Sequence, residues 1–393
     1  MKRRGQILSV NWFKGLKVLD LGQGISAPFC AKLFADLGAT VIKVEPPEGD
    51  YSRTLGPFPN DVPDIEASGT FLGVNTNKSG LVLDIKTDTG KQILLDLVKS
   101  SDVVVESFVP GYLDDLGMGF DSLSKETPML IMTSVSPYGQ SGPWAKYEAS
   151  NLIISNLSGH SMEHPGPVDD LAKQPPLQLG AHQAEFLGGI CAATATALAL
   201  NRRSVHGKGC HVDVSQVESL ALLPQTPLAA YAIGAPGKQR SKSSAGKASL
   251  LAVLPCKDGY VGISPRQQDQ WERMVEIMGA PEWAGDDRFA TEQGRLDHWD
   301  NLEALLISWT STMYKEDVYR LCQSTRIPSF PLNTAADLFD SAQFNARAFF
   351  VDVDHPVAGT LKYPGWPFHL ASGDRVSMDR APMLGEHNQD FIQ

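Results

Sequence analysis

Short runs of β-branched residues alternate with helical segments through the first third of the chain, and no other feature restricts the fold as much. Val18 to Leu21 reads as a short apolar strand, Ser26 to Leu37 as a helix with Pro28 in its first turn, and Thr40 to Val44 as a second strand. Gly90 to Val98 has helical spacing, and Val103 to Glu106 and Leu130 to Ser134 are again strands. Strands separated by helices predict an α/β fold on a parallel, doubly wound sheet, with ligands at the carboxyl ends of the strands. The first strand-to-helix turn, Gly22-Gln23-Gly24-Ile25-Ser26-Ala27, also satisfies the G-x-G-x-x-A pattern, with Glu45 ending the next strand as the acid that grips a ribose. Alone, this turn reads as an NAD site or as a tight turn with no ligand.

The middle changes character. Residues 136 to 185 are rich in Gly, Pro and Ser and read as loop with a short helix near Asn151 to Ser158. A polar stretch from Gly234 to Lys247 precedes a smaller α/β unit, in which Gly259 to Ser264 reads as a strand and Gln270 to Met278 as a helix. Trp271, Met274, Val275 and Met278 fall on one face of that helix, a pattern of core packing rather than of a cofactor pocket. The expected division is a large domain over 1–224 and a small domain over 225–328.

A net charge of −11, with no basic arm, argues against a nucleic-acid partner, so any polyanionic ligand must find local positive groups. The five cysteines, Cys30, Cys191, Cys210, Cys256 and Cys322, include no C-x-x-C pair and read as reduced packing residues of a cytoplasmic protein. The basic start at Met1 to Arg4 is followed by Asn11, Lys14 and Lys17 rather than by a signal-peptide core, and no apolar run is expected to span a membrane. His160 and His164 suit no metal site, and none is expected.

Glu185 opens a small-residue stretch that runs through Gly188, Gly189 and Ala192 and closes at Gly207-Lys208-Gly209, before Val212-Asp213-Val214-Ser215. A carboxylate at the mouth of a tightly packed helix either complements the helix N-terminus or is held there for chemistry.

The order of segments resembles the family III CoA-transferases, the group of formyl-CoA transferase, carnitine CoA-transferase and the α-methylacyl-CoA racemases. The resemblance covers nearly the whole chain. It runs from Gly15-Leu16-Lys17-Val18-Leu19-Asp20 through Leu37 to Pro47, Asn75-Thr76-Asn77-Lys78-Ser79 and Val105 to Gly111, then on to Cys256-Lys257-Asp258-Gly259-Tyr260 and Arg380 to His387. Matching on Gly189 places Glu185 at the family's catalytic aspartate, one methylene longer, and a glutamate forms the same anhydride and thioester.

The resemblance implies a Rossmann-like large domain completed by the returning tail 329–393, an interlocked homodimer whose path a linker at about 200 to 230 would permit, and CoA at Gln23, Gly24, Ile25, Ser26, Leu83, Lys86, Ser107 and Phe108, with Lys43 and Lys78 as softer candidates. The family often has arginine where Val109 and Asp115 stand, and Asp115 would repel a phosphate. His182, three residues before Glu185, and backbone N–H groups near Gly188 or in the Pro137 to Gly142 loop are candidate catalytic support. The racemase branch has a general-base histidine where this chain has Ser150, which disfavours racemization.

The expected function is therefore transfer of CoA from an acyl-CoA donor to a carboxylic acid through Glu185, with the CoA thioester as substrate and no permanently bound cofactor. The alternatives are an acyl-CoA racemase or isomerase, a non-catalytic CoA-binding paralogue and, ranked lower, an NAD-dependent oxidoreductase.

Overall fold

The computed structural model describes residues 10–163, 173, 175–178, 180–235 and 252–392. His164 and most of the Gly234 to Lys247 stretch lie outside these residues. The described residues form two compact units, one of 10–162, Leu177–Ala235 and 346–392, the other built on 252–345.

The first unit holds a six-stranded sheet, with β1 (Lys17–Asp20), β2 (Thr40–Glu45), β3 (Ser79–Val82), β4 (Val103–Glu106), β5 (Ile131–Ser136) and β6 (Cys210–Ser215) in the order β3-β2-β1-β4-β5-β6. Every pairing is parallel, with Val18 opposite both Val41 and Val103. This is the dinucleotide-fold order, and it reverses direction between β1 and β4. Successive strand residues face opposite sides, so the apolar runs read from the sequence serve two cores at once. Val18, Val41, Val103 and Val105 pack with Phe34 of α1 (Ser26–Asp36) and with Ala192 of α8 (Gln183–His206) on one face. Leu19, Val44, Val104 and Met132 pack on the other with Leu94 of α3 (Asp88–Lys99). Thr87 caps α3 by accepting from the Gly90 N–H at 3.0 Å, and Asp88 and Lys99 sit at the ends where the helix dipole favours their charges.

Two expectations are corrected. The stretch 200–230, read as a linker threading between subunits, instead forms the end of α8, strand β6, α9 (Gln216–Ala221) and α10 (Gln225–Ala232). Strand β6, which contains Val212 to Ser215, pairs along its full length with β5. The 24-residue α8 is also long and apolar enough to cross a membrane by length and composition, although no such run was expected. In this fold Ala184, Gly188, Gly189, Ala192, Ala193, Thr196 and Ala199 of α8 are buried in the first unit.

The tail returns to this unit. The Gly80 N–H donates to His387 Nδ1 at 3.1 Å, the His387 N–H donates to the Gly80 carbonyl at 3.0 Å, and the Val82 N–H donates to Asn388 Oδ1 at 2.9 Å. The Arg380 to His387 motif thus covers the open edge of β3, which would otherwise present unpaired backbone groups.

The second unit is a smaller α/β body whose antiparallel sheet orders β7 (Ala252–Cys256), β8 (Gly259–Ile263) and β9 (Ser329–Pro331). Trp271 and Met274, on the helix Gln268–Ile277, are buried in its core with Leu254, Trp299 and Cys322. Because β9 pairs with β8, this unit runs on to Asn345, beyond the boundary drawn at 328, while α10 belongs to the first unit.

Candidate active site

Glu185 lies in the first turn of α8, behind an unusual N-cap: His182 adopts a left-handed conformation, φ 56°, and its carbonyl accepts the Phe186 N–H at 3.0 Å. This bend brings His182 Nδ1 to 3.4 Å from Glu185 Oε1. The next N–H, of Ala184, is taken by Asn151 Oδ1 at 3.1 Å. Glu185 Oε2 is buried and has no hydrogen-bond partner among the described residues. A carboxylate oxygen stripped of water and of donors is held ready to bond to an electrophile.

Its position is set from the backbone. Ser26 Oγ donates to the Glu185 carbonyl at 2.7 Å and accepts from Gln216 Nε2 at 2.7 Å, which ties α1, α8 and α9 together. The two glycines of α8 permit this contact. A Cβ on Gly189 would lie 2.6 Å from the Ser26 carbonyl oxygen, and one on Gly188 would lie 2.9 Å from Gln216 Cγ. Gly188 is therefore a packing residue: it sits inside the helix, where its N–H belongs to the helical ladder rather than to a ligand. In the Pro137 to Gly142 loop, the Gln140 N–H is held by both Asp213 carboxylate oxygens at 3.0 Å.

The predicted CoA residues divide into two groups. Gln23, Leu83, Lys86 and Phe108 line one cleft of about 160 Å³ at the carboxyl ends of β1 to β4, where the sheet order reverses, and Phe108 packs on Tyr112 with ring centroids 4.8 Å apart. Ser107 borders it by holding the turn: its Oγ accepts the Gln23 N–H at 2.9 Å and faces the Gln23 carbonyl at 3.3 Å. Ile25 and Ser26, by contrast, are buried in helix packing. The Gly24 N–H is directed at Asp50 Oδ1, 2.9 Å away.

Lys43 and Lys78 are not surface cations. Lys43 is fully buried, bonded to the Gly22 carbonyl and 2.6 Å from Asp50 Oδ2, and the nearby Asp20, Asp50 and Glu45 charges raise its pKa against the opposing effect of burial. Lys78 is held by Asp20 at 2.8 Å and by the Pro28 carbonyl and Asn75, each at 2.7 Å, and burial lowers its pKa to about 8. Both support the turn from beneath. Glu45, the candidate ribose acid, is 1% exposed and locked in a two-point ion pair with Arg53, 2.7 Å to Nε and 2.9 Å to Nη2. An acid so engaged cannot grip a ribose, and the dinucleotide reading of Gly22 to Ala27 loses its support.

Ser150 occupies the N-cap of α6 (Asn151–Leu157), Asp115 ends the short helix α4 (Tyr112–Asp115), and Val109 is exposed. The segment Asp50 to Arg53 went unread in the sequence, although its Gly49-Asp50 start carries an N-cap signal, and the Asp50 side chain accepts the Ser52 N–H.

The sequence model of CoA-transferase family III matches residues 13–388. The chain belongs to that family. It is 30% identical over 391 residues to the succinyl-CoA:(R)-benzylsuccinate CoA-transferase subunit BbsE of Thauera aromatica, covering 97% of this chain and 93% of that protein. It is 31% identical over 396 residues to a formyl-CoA:oxalate CoA-transferase of Streptomyces avermitilis, covering 96% and 93%. Among solved structures, a CAIB/BAIF family protein from Brucella suis superposes with a TM-score of 0.86 at 29% identity, over 96% of this chain and 97% of that one. Named relatives in this family thus act on different CoA thioesters, among them those of succinate and formate.

Proposed function

We propose that this protein moves CoA from an acyl-CoA donor to a carboxylic acid, with Glu185 as the covalent carrier. The observation that supports it is the buried, unpartnered Glu185 Oε2 at the mouth of α8. In the first step the carboxylate oxygen bonds to the thioester carbon and the C–S bond breaks, leaving a mixed anhydride and CoA thiolate. The thiolate then attacks the Glu185 carbonyl carbon, expels the donor acid as carboxylate, and makes a glutamyl-CoA thioester. The acceptor carboxylate attacks that thioester in turn, and the returning thiolate takes the acceptor acyl group and frees Glu185. Thioester energy is conserved throughout, with no net proton change.

The CoA adenosine end is assigned to the cleft of Gln23, Leu83, Lys86 and Phe108. His182, half-exposed beside Glu185, is placed to orient the carboxylate. A homodimer is part of the same reading: Ile190, Leu198 and Val205 form an exposed apolar stripe along α8, which a second copy would cover.

The test is covalent trapping. Incubation with a reactive acyl-CoA followed by hydroxylamine is expected to modify the peptide that carries Glu185, since anhydrides and thioesters react where a free carboxylate does not. Glu185→Gln is expected to abolish both modification and transfer while CoA still binds; transfer at the wild-type rate by this variant would end the proposal. A screen of acyl-CoA donors against carboxylic acids, read by mass, identifies the substrate pair.

A further inference from the structure

Tyr51 is held rigidly at the backbone yet its ring is open to solvent. Its neighbours Asp50, Ser52 and Arg53 are all at most 1% exposed, whereas Tyr51 is 55% exposed. Asp50 is fixed by Lys43, by the Gly24 N–H and by its own N–H to Glu45 Oε2 at 2.9 Å. Arg53 is fixed by Glu45 and Glu66 and stacks over Phe71 with its guanidinium carbon 3.6 Å from the ring centroid. So much buried ionic structure beneath one short turn leaves the tyrosine little freedom of placement.

Its hydroxyl lies directly over Gly24. A Cβ built on Gly24, which has φ +77°, would fall 1.9 Å from the Tyr51 oxygen. Two residues further along the same turn, Ser26 holds the Glu185 carbonyl. The turn therefore carries the phenol at one point and the helix mouth with the unpartnered carboxylate oxygen at the next. Burial of the hydroxyl end, and then the negative charges of Asp50 and Glu185, raise the phenol's pKa, so it keeps its proton at neutral pH and is a donor. No hydrogen bond engages that hydroxyl among the described residues.

We infer that the Tyr51 hydroxyl donates a hydrogen bond to the oxyanion formed when Glu185 attacks the donor thioester. This rests on Glu185 as the nucleophile. In that step the new C–O bond drives the carbonyl electron pair onto oxygen, and collapse of the adduct breaks the C–S bond and releases thiolate. The phenol proton stays on Tyr51 throughout, so the residue stabilises the adduct without being consumed.

The experiment is the rate at which hydroxylamine-trappable Glu185 accumulates after mixing enzyme with a reactive acyl-CoA, measured together with the CoA dissociation constant. Tyr51→Phe removes only the hydroxyl and keeps the ring. The expected result is a loss in acylation rate on the order of 100-fold, the effect of removing one oxyanion donor, with CoA affinity within about twofold of wild type. Acylation at the wild-type rate would overturn the inference, as would weakened CoA binding with an unchanged rate at saturation, which would make Tyr51 a wall of the CoA site. Absence of trapped Glu185 in the wild-type enzyme would instead remove the nucleophile, and the role of Tyr51 with it.

Discussion

The Ser26 hydroxyl and the Glu185 backbone carbonyl, 159 positions apart in the chain, meet at 2.7 Å, and this contact joins the first turn of the sheet to the mouth of α8. It exists because α8 presents glycine where α1 comes closest. Gly189→Ala would set a methyl group 2.6 Å from the Ser26 carbonyl oxygen and 3.2 Å from Phe29 Cβ. Backbone cannot yield as a flexible side chain does, so the two helices must part, at a cost of about 1–3 kcal/mol. Transfer is expected to fall further than stability alone explains, since about 1 Å of misplacement costs roughly 100-fold in rate. Thermal unfolding and steady-state kinetics check this, with Gly73→Ala, where a methyl meets nothing within 4 Å, as the control.

Lys78 separates support from binding. If it held CoA, its loss would weaken ligand affinity and leave the fold intact. Buried against Asp20, it should do the reverse: Lys78→Met leaves a buried carboxylate unpaired and is expected to destabilise the protein by about 3–5 kcal/mol. Denaturant unfolding reads the loss. Normal stability with loss of CoA binding would return Lys78 to the ligand site.

These lysines mark where sequence reading stops. The sheet was legible because Val103 to Glu106 and Thr40 to Val44 are rich in β-branched residues, and α3 because its cap, charges and apolar spacing agree. Strand β3 was not, since Ser79 and Gly80 make up half of its four residues and carry no strand signal; it forms because Ile42 to Glu45 and the returning tail flank it. At the candidate site, Glu185 and the residues that line the cleft were singled out by their place in motifs. The supports of the turn were missed because a lysine's burial is decided by tertiary partners: Lys43 meets Asp50 only once the loop after β2 folds back over Gly24.

Glu106 gives a pH signature. It is buried at the end of β4, and desolvation raises its pKa to about 7 from 4.5, against hydrogen bonds from Ser134 and from the Phe108 N–H at 2.6 Å; Asp114 and Asp213 add to the rise. The folded protein keeps this proton to higher pH than the unfolded chain does. Stability from this group is therefore complete below pH 4.5, is lost as pH rises toward 7, and falls no further above it. The shift corresponds to roughly 3 kcal/mol at about 1.4 kcal/mol per pKa unit. Glu106→Gln cannot ionise, so its stability relative to wild type is expected to climb between pH 5 and 8. A difference that stays flat over that range, measured by chemical denaturation, would refute the assignment.

The α8 stripe predicts association. Ile190 is 46% exposed, Leu198 66% and Val205 73%, all on a helix whose other face is buried. Light scattering is expected to give twice the 42.6 kDa chain mass, and Leu198→Glu with Val205→Glu to shift that toward one chain. A wild-type protein that scatters as a single chain at micromolar concentration would remove the dimer from the functional reading.

Lys86 and Glu45 separate the proposed CoA reading of the cleft from the dinucleotide reading. Both line it, yet Glu45 is committed to Arg53, while Lys86 is exposed and shares the cleft with the paired Phe108 and Tyr112 rings. A dinucleotide needs the acid free for its ribose hydroxyls; CoA needs a cation for phosphate and an apolar surface for adenine or pantetheine. NAD is therefore expected to give no heat by calorimetry, and CoA to bind. Lys86→Ala should weaken CoA by about tenfold, the effect of one charge-assisted hydrogen bond, and should flatten the salt dependence of binding. Repeating the titration with dephospho-CoA locates the contact: if Lys86 meets the 3′-phosphate, the variant loses nothing toward dephospho-CoA, and if it meets the diphosphate, it loses the same factor toward both. Tight NAD binding without CoA binding would reverse the assignment of the cleft and, with it, of the reaction.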